Sequence, residues 1–229
     1  MNSDPTTERL TVSVMHQLPT LFLSRVHFPV NSLGYGRRIG IWLQGCSIRC
    51  PGCVSKDTWI ATSEHSTSIN EVLGACSQWV NEADGITISG GEPFDQARSL
   101  LQLIVEFRKV FTGDILVYSG HAYEDLVKRH QSILNQIDLL ITDPFVESAE
   151  QTLPLRGSDN QRAWPLTELG RTRYFDILQK NNTRPKLDLS VNGSTAWMAG
   201  IPKIGDMSRL RSKLQEMGFA CSTTDFIGD

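Results

Sequence analysis

Ile39-Gly40-Ile41-Trp42-Leu43-Gln44 runs directly into Gly45-Cys46-Ser47-Ile48-Arg49-Cys50-Pro51-Gly52-Cys53. The first six residues form a short, mostly apolar run, which reads as a buried strand. The next nine read as a loop carried at its C-terminal end. Three cysteines at C-x3-C-x2-C spacing can turn their sulfurs into one region. Thiolates are good ligands for soft metals and iron–sulfur clusters. Structural zinc and ordinary [4Fe–4S] clusters take four protein ligands. Three cysteines on a four-iron cluster would leave one iron open for another ligand. A structural zinc completed by a histidine such as His65 is the plainer alternative.

Working outward, compact strands alternate with helical stripes. Thr20 to His27 alternates loosely and is rich in β-formers, so a first strand is predicted there. Gly34 and Gly36 mark a loop before the Ile39 strand. Ile69, Val72, Leu73, Cys76, Trp79 and Val80 recur at helical spacing. Gly85 to Ser89 reads as a strand ending in Gly90-Gly91-Glu92-Pro93. Leu100, Leu101, Ile104, Phe107 and Val110 form a second helical stripe. Asp114 to Ser119 is a strand leading into Gly120-His121, followed by a helical segment near Tyr123 to Gln131. Ile137 to Ile141 is a further strand. This order predicts crossover units and a parallel α/β sheet. Ligand-binding residues gather at the C-terminal ends of such strands. The cysteine loop, Gly90-Gly91-Glu92 and Ser119-Gly120-His121 all fall there.

Beyond Pro154 the pattern weakens. Lys186 to Val191 alternates, Asn192-Gly193 is a hairpin turn, and Thr195 to Ala199 is the return strand. Met207, Leu210, Leu214 and Met217 mark a last amphipathic helix. The expected organisation is a flexible segment over 1–19, a core over 20–165, and an extension over 166–229 packed on that core.

The 229 residues are 40% hydrophobic and 21% charged, an ordinary globular composition. A formal net charge of −3 gives no footprint for nucleic acid or an anionic membrane. No apolar run approaches the roughly 20 residues that span a bilayer. The polar N-terminus does not read as a signal peptide, so the cytoplasm is expected. The five cysteines are not spread as in a secreted disulfide framework. Cys76 reads as a core residue on a helical stripe and Cys221 as incidental. His121 and His130 suit a surface or satisfied role, though His121 is also a site candidate. Arg37 and Arg38 are as readily solvated as functional, and Trp197 and Met198 read as packing residues.

The cysteine loop and the strand ending Thr87-Ile88-Ser89-Gly90-Gly91-Glu92-Pro93-Phe94 together resemble the radical S-adenosylmethionine (SAM) superfamily. Within it the chain is most similar to the activating enzymes of glycyl radical enzymes, above all those of anaerobic ribonucleotide reductase. Gly34-Tyr35-Gly36-Arg37-Arg38 resembles that family's G-x-G-x-R loop. Arg156-Gly157-Ser158-Asp159-Asn160-Gln161 resembles its R-G-S-x-N-Q segment. The likeness spans roughly residues 20 to 165. The chain departs from the pattern at Gly52 and Val54, where aromatic residues often flank the third cysteine. It departs again at Thr142-Asp143-Pro144-Phe145, in place of D-G-P-F.

The resemblance implies a partial parallel (β/α) barrel, which the small C-terminal hairpin and helix read from the pattern would extend. It implies that Cys46, Cys50 and Cys53 each bind one iron of a [4Fe–4S] cluster, while SAM chelates the fourth. One electron would then split SAM into methionine and a 5′-deoxyadenosyl radical that abstracts hydrogen. Gly90 and Gly91 would leave room for a ligand. Glu92 or a nearby carbonyl would accept from the SAM ammonium group, and Ser119 and His121 would contact SAM. The implied partners are a glycyl radical enzyme such as ribonucleotide reductase and a flavodoxin- or ferredoxin-type electron donor. A second reading is a radical SAM enzyme acting on a small molecule or peptide. A third is a non-catalytic metal module or electron carrier.

Overall fold

The computed structural model describes residues 19–180, 187–192, 195–220 and 222–225. Most of the expected segment 1–19, the Gly193 half of the hairpin turn and Cys221 lie outside the described residues.

The chain opens with β1 (Thr20–Val30), β2 (Arg38–Leu43), β3 (Ser66–Ser68) and α1 (Ile69–Ser77). It continues through β4 (Gly85–Gly90), α2 (Ala97–Val110), β5 (Asp114–Tyr118), α3 (Tyr123–Arg129), α4 (Gln131–Leu134), β6 (Leu139–Thr142) and β7 (Arg162–Pro165). It ends with α5 (Glu168–Leu178), the hairpin β8 (Leu187–Asn192) and β9 (Thr195–Gly200), and α6 (Asp206–Glu216). One sheet runs in the order β3-β1-β2-β4-β5-β6-β7, and β8-β9 form a separate pair. The central strands β2, β4, β5 and β6 are parallel, and the flanking β1 and β7 are antiparallel to their neighbours. Crossovers through α1, α2 and α3–α4 make the parallel pairs, as the alternation predicts. The fold is therefore mixed α/β with a mostly parallel centre. The edge strands β3 and β7 do not pair with each other, so among the described residues the sheet is open rather than closed.

The two faces of the sheet carry different covers. Ile39, Ile41, Leu43, Ile86, Ile88, Ile115 and Val117 face α1 to α4, where Val72, Cys76, Leu103, Ile104 and Phe107 complete the main core. Cys76 is fully buried there, and burial pushes its thiol up to about 12. The alternate strand residues face the other way, as the pleat demands. Leu116, Leu139 and Ile141 pack on Tyr174 of α5, while Val30, Leu33 and Trp42 pack on Ala199 with Trp197. Trp197 stacks on His27 with ring centroids 3.5 Å apart. Asp188 anchors the hairpin by accepting from the backbone N–H groups of Asn31 and Ser32 at 2.8 Å.

At the N-terminal strand ends lies a buried ion pair. Arg38 is fully buried, not solvated, and its Nη2 meets Asp114 Oδ2 at 2.7 Å. Its other donors reach Thr87 Oγ1, Ile86 O and Tyr35 O. Tyr174 Oη and Arg173 Nη1 also donate to Asp114. Gly85 is needed here because a Cβ would collide with the Arg38 guanidinium. Arg37 is the exposed member of the pair, 3.4 Å from Glu82. The G-x-G-x-R stretch thus pins the sheet at the end opposite the cysteine loop.

Candidate active site

β2 leaves the sheet at Leu43 and the chain turns at Gly45 into the cysteine loop. Gly45 N donates to Thr58 O at 2.7 Å and Cys46 N to Trp59 O at 3.1 Å, so the segment 55–59 backs the loop. Gln44 Nε2 ties the same segment through Asp57 O and Ile60 O. The three thiols are half-buried and free of disulfides. Arg49 N donates to Cys46 Sγ at 3.5 Å and Ser55 N to Cys53 Sγ at 3.4 Å. Burial pushes all three thiols above their ordinary value, so iron must displace protons on binding.

β4 delivers its glycine-rich end beside this loop. Gly91 N donates to Leu43 O and Glu92 N to Gly45 O, both at 2.8 Å. Gly90 has φ +98, and a Cβ there would stand 2.5 Å from Leu43 O. A Cβ on Gly91 would collide with Gly45 O. On the side where a Cβ would stand, both glycines are closed by the chain's own backbone.

Glu92 is likewise engaged. It is 2% exposed. Its Oε1 accepts from Phe94 N at 3.0 Å and Ser119 Oγ at 2.9 Å, and its Oε2 from Gly120 N at 2.7 Å. Burial pushes its carboxyl up against the pull of those donors. Glu92 therefore ties the end of β4 to the turn after β5. Ser119 is spent on that tie, and His121 N closes it on Ser119 Oγ at 3.1 Å. The His121 ring is partly exposed, with Nε2 3.9 Å from Asp95 Oδ1. Asp95 in turn accepts from Ser47 N and Ser47 Oγ on the cysteine loop. Gly120 abuts the Ile48 side chain. All eight residues singled out in the sequence thus come to one mouth of the sheet.

Two further segments belong to that mouth. The Phe145 backbone draws the Cys50 thiol down against the push of burial, and the Glu147 side chain lies against Gly52. Residues 156–161 pack on this 143–147 stretch through Val146 N to Ser158 Oγ, 3.0 Å. Trp59 and Asp95 were missed in the sequence because their partners are set by loop folding rather than by spacing. A hollow of about 400 Å3 lined by Tyr123, Leu134 and Thr167 lies on the α3–α4 side and includes none of these residues.

The Trp59 indole N–H is buried beside the Cys53 sulfur, with no hydrogen bond of normal length to any partner. Cluster sulfurs accept such bonds. Among the described residues no three His, Cys, Asp or Glu side chains converge as on a single ion. A cubane asks for less convergence, since each cysteine binds its own iron. His65, the candidate fourth zinc ligand, holds its Nδ1 2.9 Å from Thr62 Oγ1 in a local turn. The residues present fit a cluster with three protein ligands.

The chain is similar to proteins of known name. The chain is 29% identical over 139 residues to the anaerobic ribonucleoside-triphosphate reductase-activating protein of Enterobacteria phage T4, covering 59% of this chain and 88% of that protein. It is 25% identical over 152 residues to the pyruvate formate-lyase-activating enzyme of Listeria monocytogenes, covering 62% and 61%. The crystal structure of QueE from Escherichia coli aligns with TM-score 0.38 and 21% identity over 44% of this chain and 52% of that one. The resemblance drawn from the sequence stands, and because the family described as the 4Fe-4S single cluster domain matches residues 32–164, more than half its length, the chain belongs to that family.

Proposed function

We propose that the protein is a radical SAM enzyme that makes a glycyl radical on a protein partner, an anaerobic ribonucleotide reductase. The observation that carries this is the cysteine loop clasped by the Gly90-Gly91-Glu92 end of β4, in a chain whose relatives are named as activating enzymes. Cys46, Cys50 and Cys53 would hold the [4Fe–4S] cluster and leave one iron for SAM. When bound, the reduced cluster would supply one electron to the sulfonium of SAM, whose S–C5′ bond would break to leave methionine and a 5′-deoxyadenosyl radical able to take a hydrogen atom.

The chain's own part is placement. Gly90 and Gly91 let the end of β4 lie directly on the cysteine loop. Glu92 locks the turn after β5 to the same point. Glu92 Oε1 accepts two bonds from the chain and Oε2 one, so the acceptor for the SAM ammonium group is the second site on Oε2 or a backbone carbonyl at this strand end. Ser119 acts as a positioning residue through Glu92, and the His121 ring is the exposed candidate for direct contact.

The finer architecture belongs to the same proposal. The open sheet is taken as the partial barrel of radical SAM enzymes, with residues 20–165 as the core and 166–229 as an extension across its second face. The electron donor is taken to be a flavodoxin- or ferredoxin-type protein, and the compartment the cytoplasm. Among the described residues no helix is long and apolar enough to cross a membrane.

The test is electron paramagnetic resonance of the organism's own anaerobic ribonucleotide reductase after incubation with the reduced, cluster-loaded protein and SAM. A glycyl doublet on the reductase is expected. SAM cleavage without that doublet would leave a radical enzyme with a different substrate and defeat the activase reading.

A further inference from the structure

The segment from Arg156 to Gln161 uses nearly all its polar groups to fold itself. Gly157 N donates to Gln161 Oε1 at 2.7 Å. Ser158 Oγ accepts from Val146 N at 3.0 Å. Asp159 Oδ1 accepts from Thr152 N at 2.8 Å and Leu153 N at 2.9 Å. Asn160 Nδ2 donates to Pro144 O at 2.9 Å, and Gln161 Nε2 to Asp143 O at 3.0 Å.

Arg156 is the exception. Among the described residues no carboxylate pairs with its guanidinium, and its Nε is shut off from solvent without an acceptor. Asp159 acts on it electrostatically but is committed to Thr152 and Leu153. Tyr118, also within electrostatic reach, donates its hydroxyl to Leu155 O at 3.1 Å. A buried donor left unpaired is costly, and more so when it is charged. A half-buried cation with an unused donor fork is suited to a carboxylate, which it can hold through two parallel bonds.

The location narrows which carboxylate. Tyr118 ends β5, and the next two residues are the Ser119-Gly120 turn held by Glu92. Gly157 lies against the Phe145 ring. The backbone of Phe145 reaches Cys50. The chain on either side of Arg156 thus meets Tyr118 at the end of β5, through Leu155, and the Phe145 stretch, through Gly157, on the edge of the sheet where the amino-acid half of SAM is proposed to sit.

We propose that Arg156 is the carboxylate receptor of this site, its guanidinium taking the carboxylate of SAM. The assignment rests on the reading of the loop as a cluster and SAM site.

The experiment compares dissociation constants of SAM and decarboxylated SAM for the cluster-loaded protein and its Arg156→Gln and Arg156→Lys variants, by anaerobic equilibrium dialysis. Arg156→Gln is expected to weaken SAM at least tenfold, Arg156→Lys less, and neither to change decarboxylated SAM. Equal SAM binding by wild type and Arg156→Gln overturns the assignment. So does an equal loss for both ligands, which marks a purely structural arginine. If Arg156→Gln fails to hold the cluster, the lysine variant decides on the same comparison. Wild-type protein that holds its cluster yet binds no SAM defeats the reading of the site itself.

Discussion

Trp59 places a buried N–H beside a cysteine sulfur and gives it no oxygen to bond. Hydrogen bonds to cluster sulfurs are among the features that set cluster potentials. Trp59→Phe keeps the ring and removes the donor. The midpoint potential, followed by redox titration of the cluster signal, should become more negative with unchanged iron content; an unchanged potential would show that the indole serves packing alone. Arg38 and Asp114 carry a second residue-scale prediction. Burial alone would push the Asp114 carboxyl up, but Arg38, with hydrogen bonds from Tyr174 and Arg173, holds it below its usual range. A depressed folded-state value stabilises at pH above the unfolded value and is lost as pH falls through the folded one. Asp114→Asn strands a buried guanidinium, so it should cost about 3–5 kcal/mol in denaturant unfolding at neutral pH. It should also flatten the acid limb of stability, and a variant as stable as wild type would contradict this. The sequence could not separate Arg38 from its exposed neighbour, because its partners Thr87 and Asp114 lie 49 and 76 residues away.

At the scale of elements, β2, β5 and β6 were legible as short, mostly apolar runs, and β4 as a compact isoleucine-bearing stretch closed by its glycines. The edges were not. β3 is Ser-Thr-Ser and β7 is Arg-Ala-Trp-Pro, held by pairing with β1 and β6 rather than by their own pattern. α5 buries only Gly170 and Tyr174, too narrow a stripe to read as a helical period. α1 stops at Ser77, short of Trp79 and Val80, whose spacing continued the pattern while the chain turned. The glycine pair was legible as a motif but not in its physical role. Gly91→Ala would drive a methyl group into Gly45 O, so the cysteine loop must shift. Such overpacking typically costs 1–3 kcal/mol. The variant should reconstitute with less iron and an altered cluster resonance spectrum. Full iron loading with a wild-type spectrum would contradict the fit described here.

At the scale of the molecule, one end of the sheet is structural and the other chemical. The Arg38–Asp114 network closes the N-terminal strand ends, and the cysteine loop, Glu92 and the 143–147 and 156–161 stretches converge on the C-terminal ends. That convergence was legible, since parallel strands bring their C-terminal ends to one edge. The cover on the second face was not, because it depends on where the hairpin and α5 dock. The central claim is that this edge cleaves SAM through a cluster held by three cysteines. Its most direct test is the amount of 5′-deoxyadenosine formed by the anaerobically reconstituted, reduced protein with SAM, measured beside Cys46→Ala, Cys50→Ala and Cys53→Ala. Wild type should form it and each variant should fall to background. A wild-type protein with a full complement of iron that forms none would contradict the account.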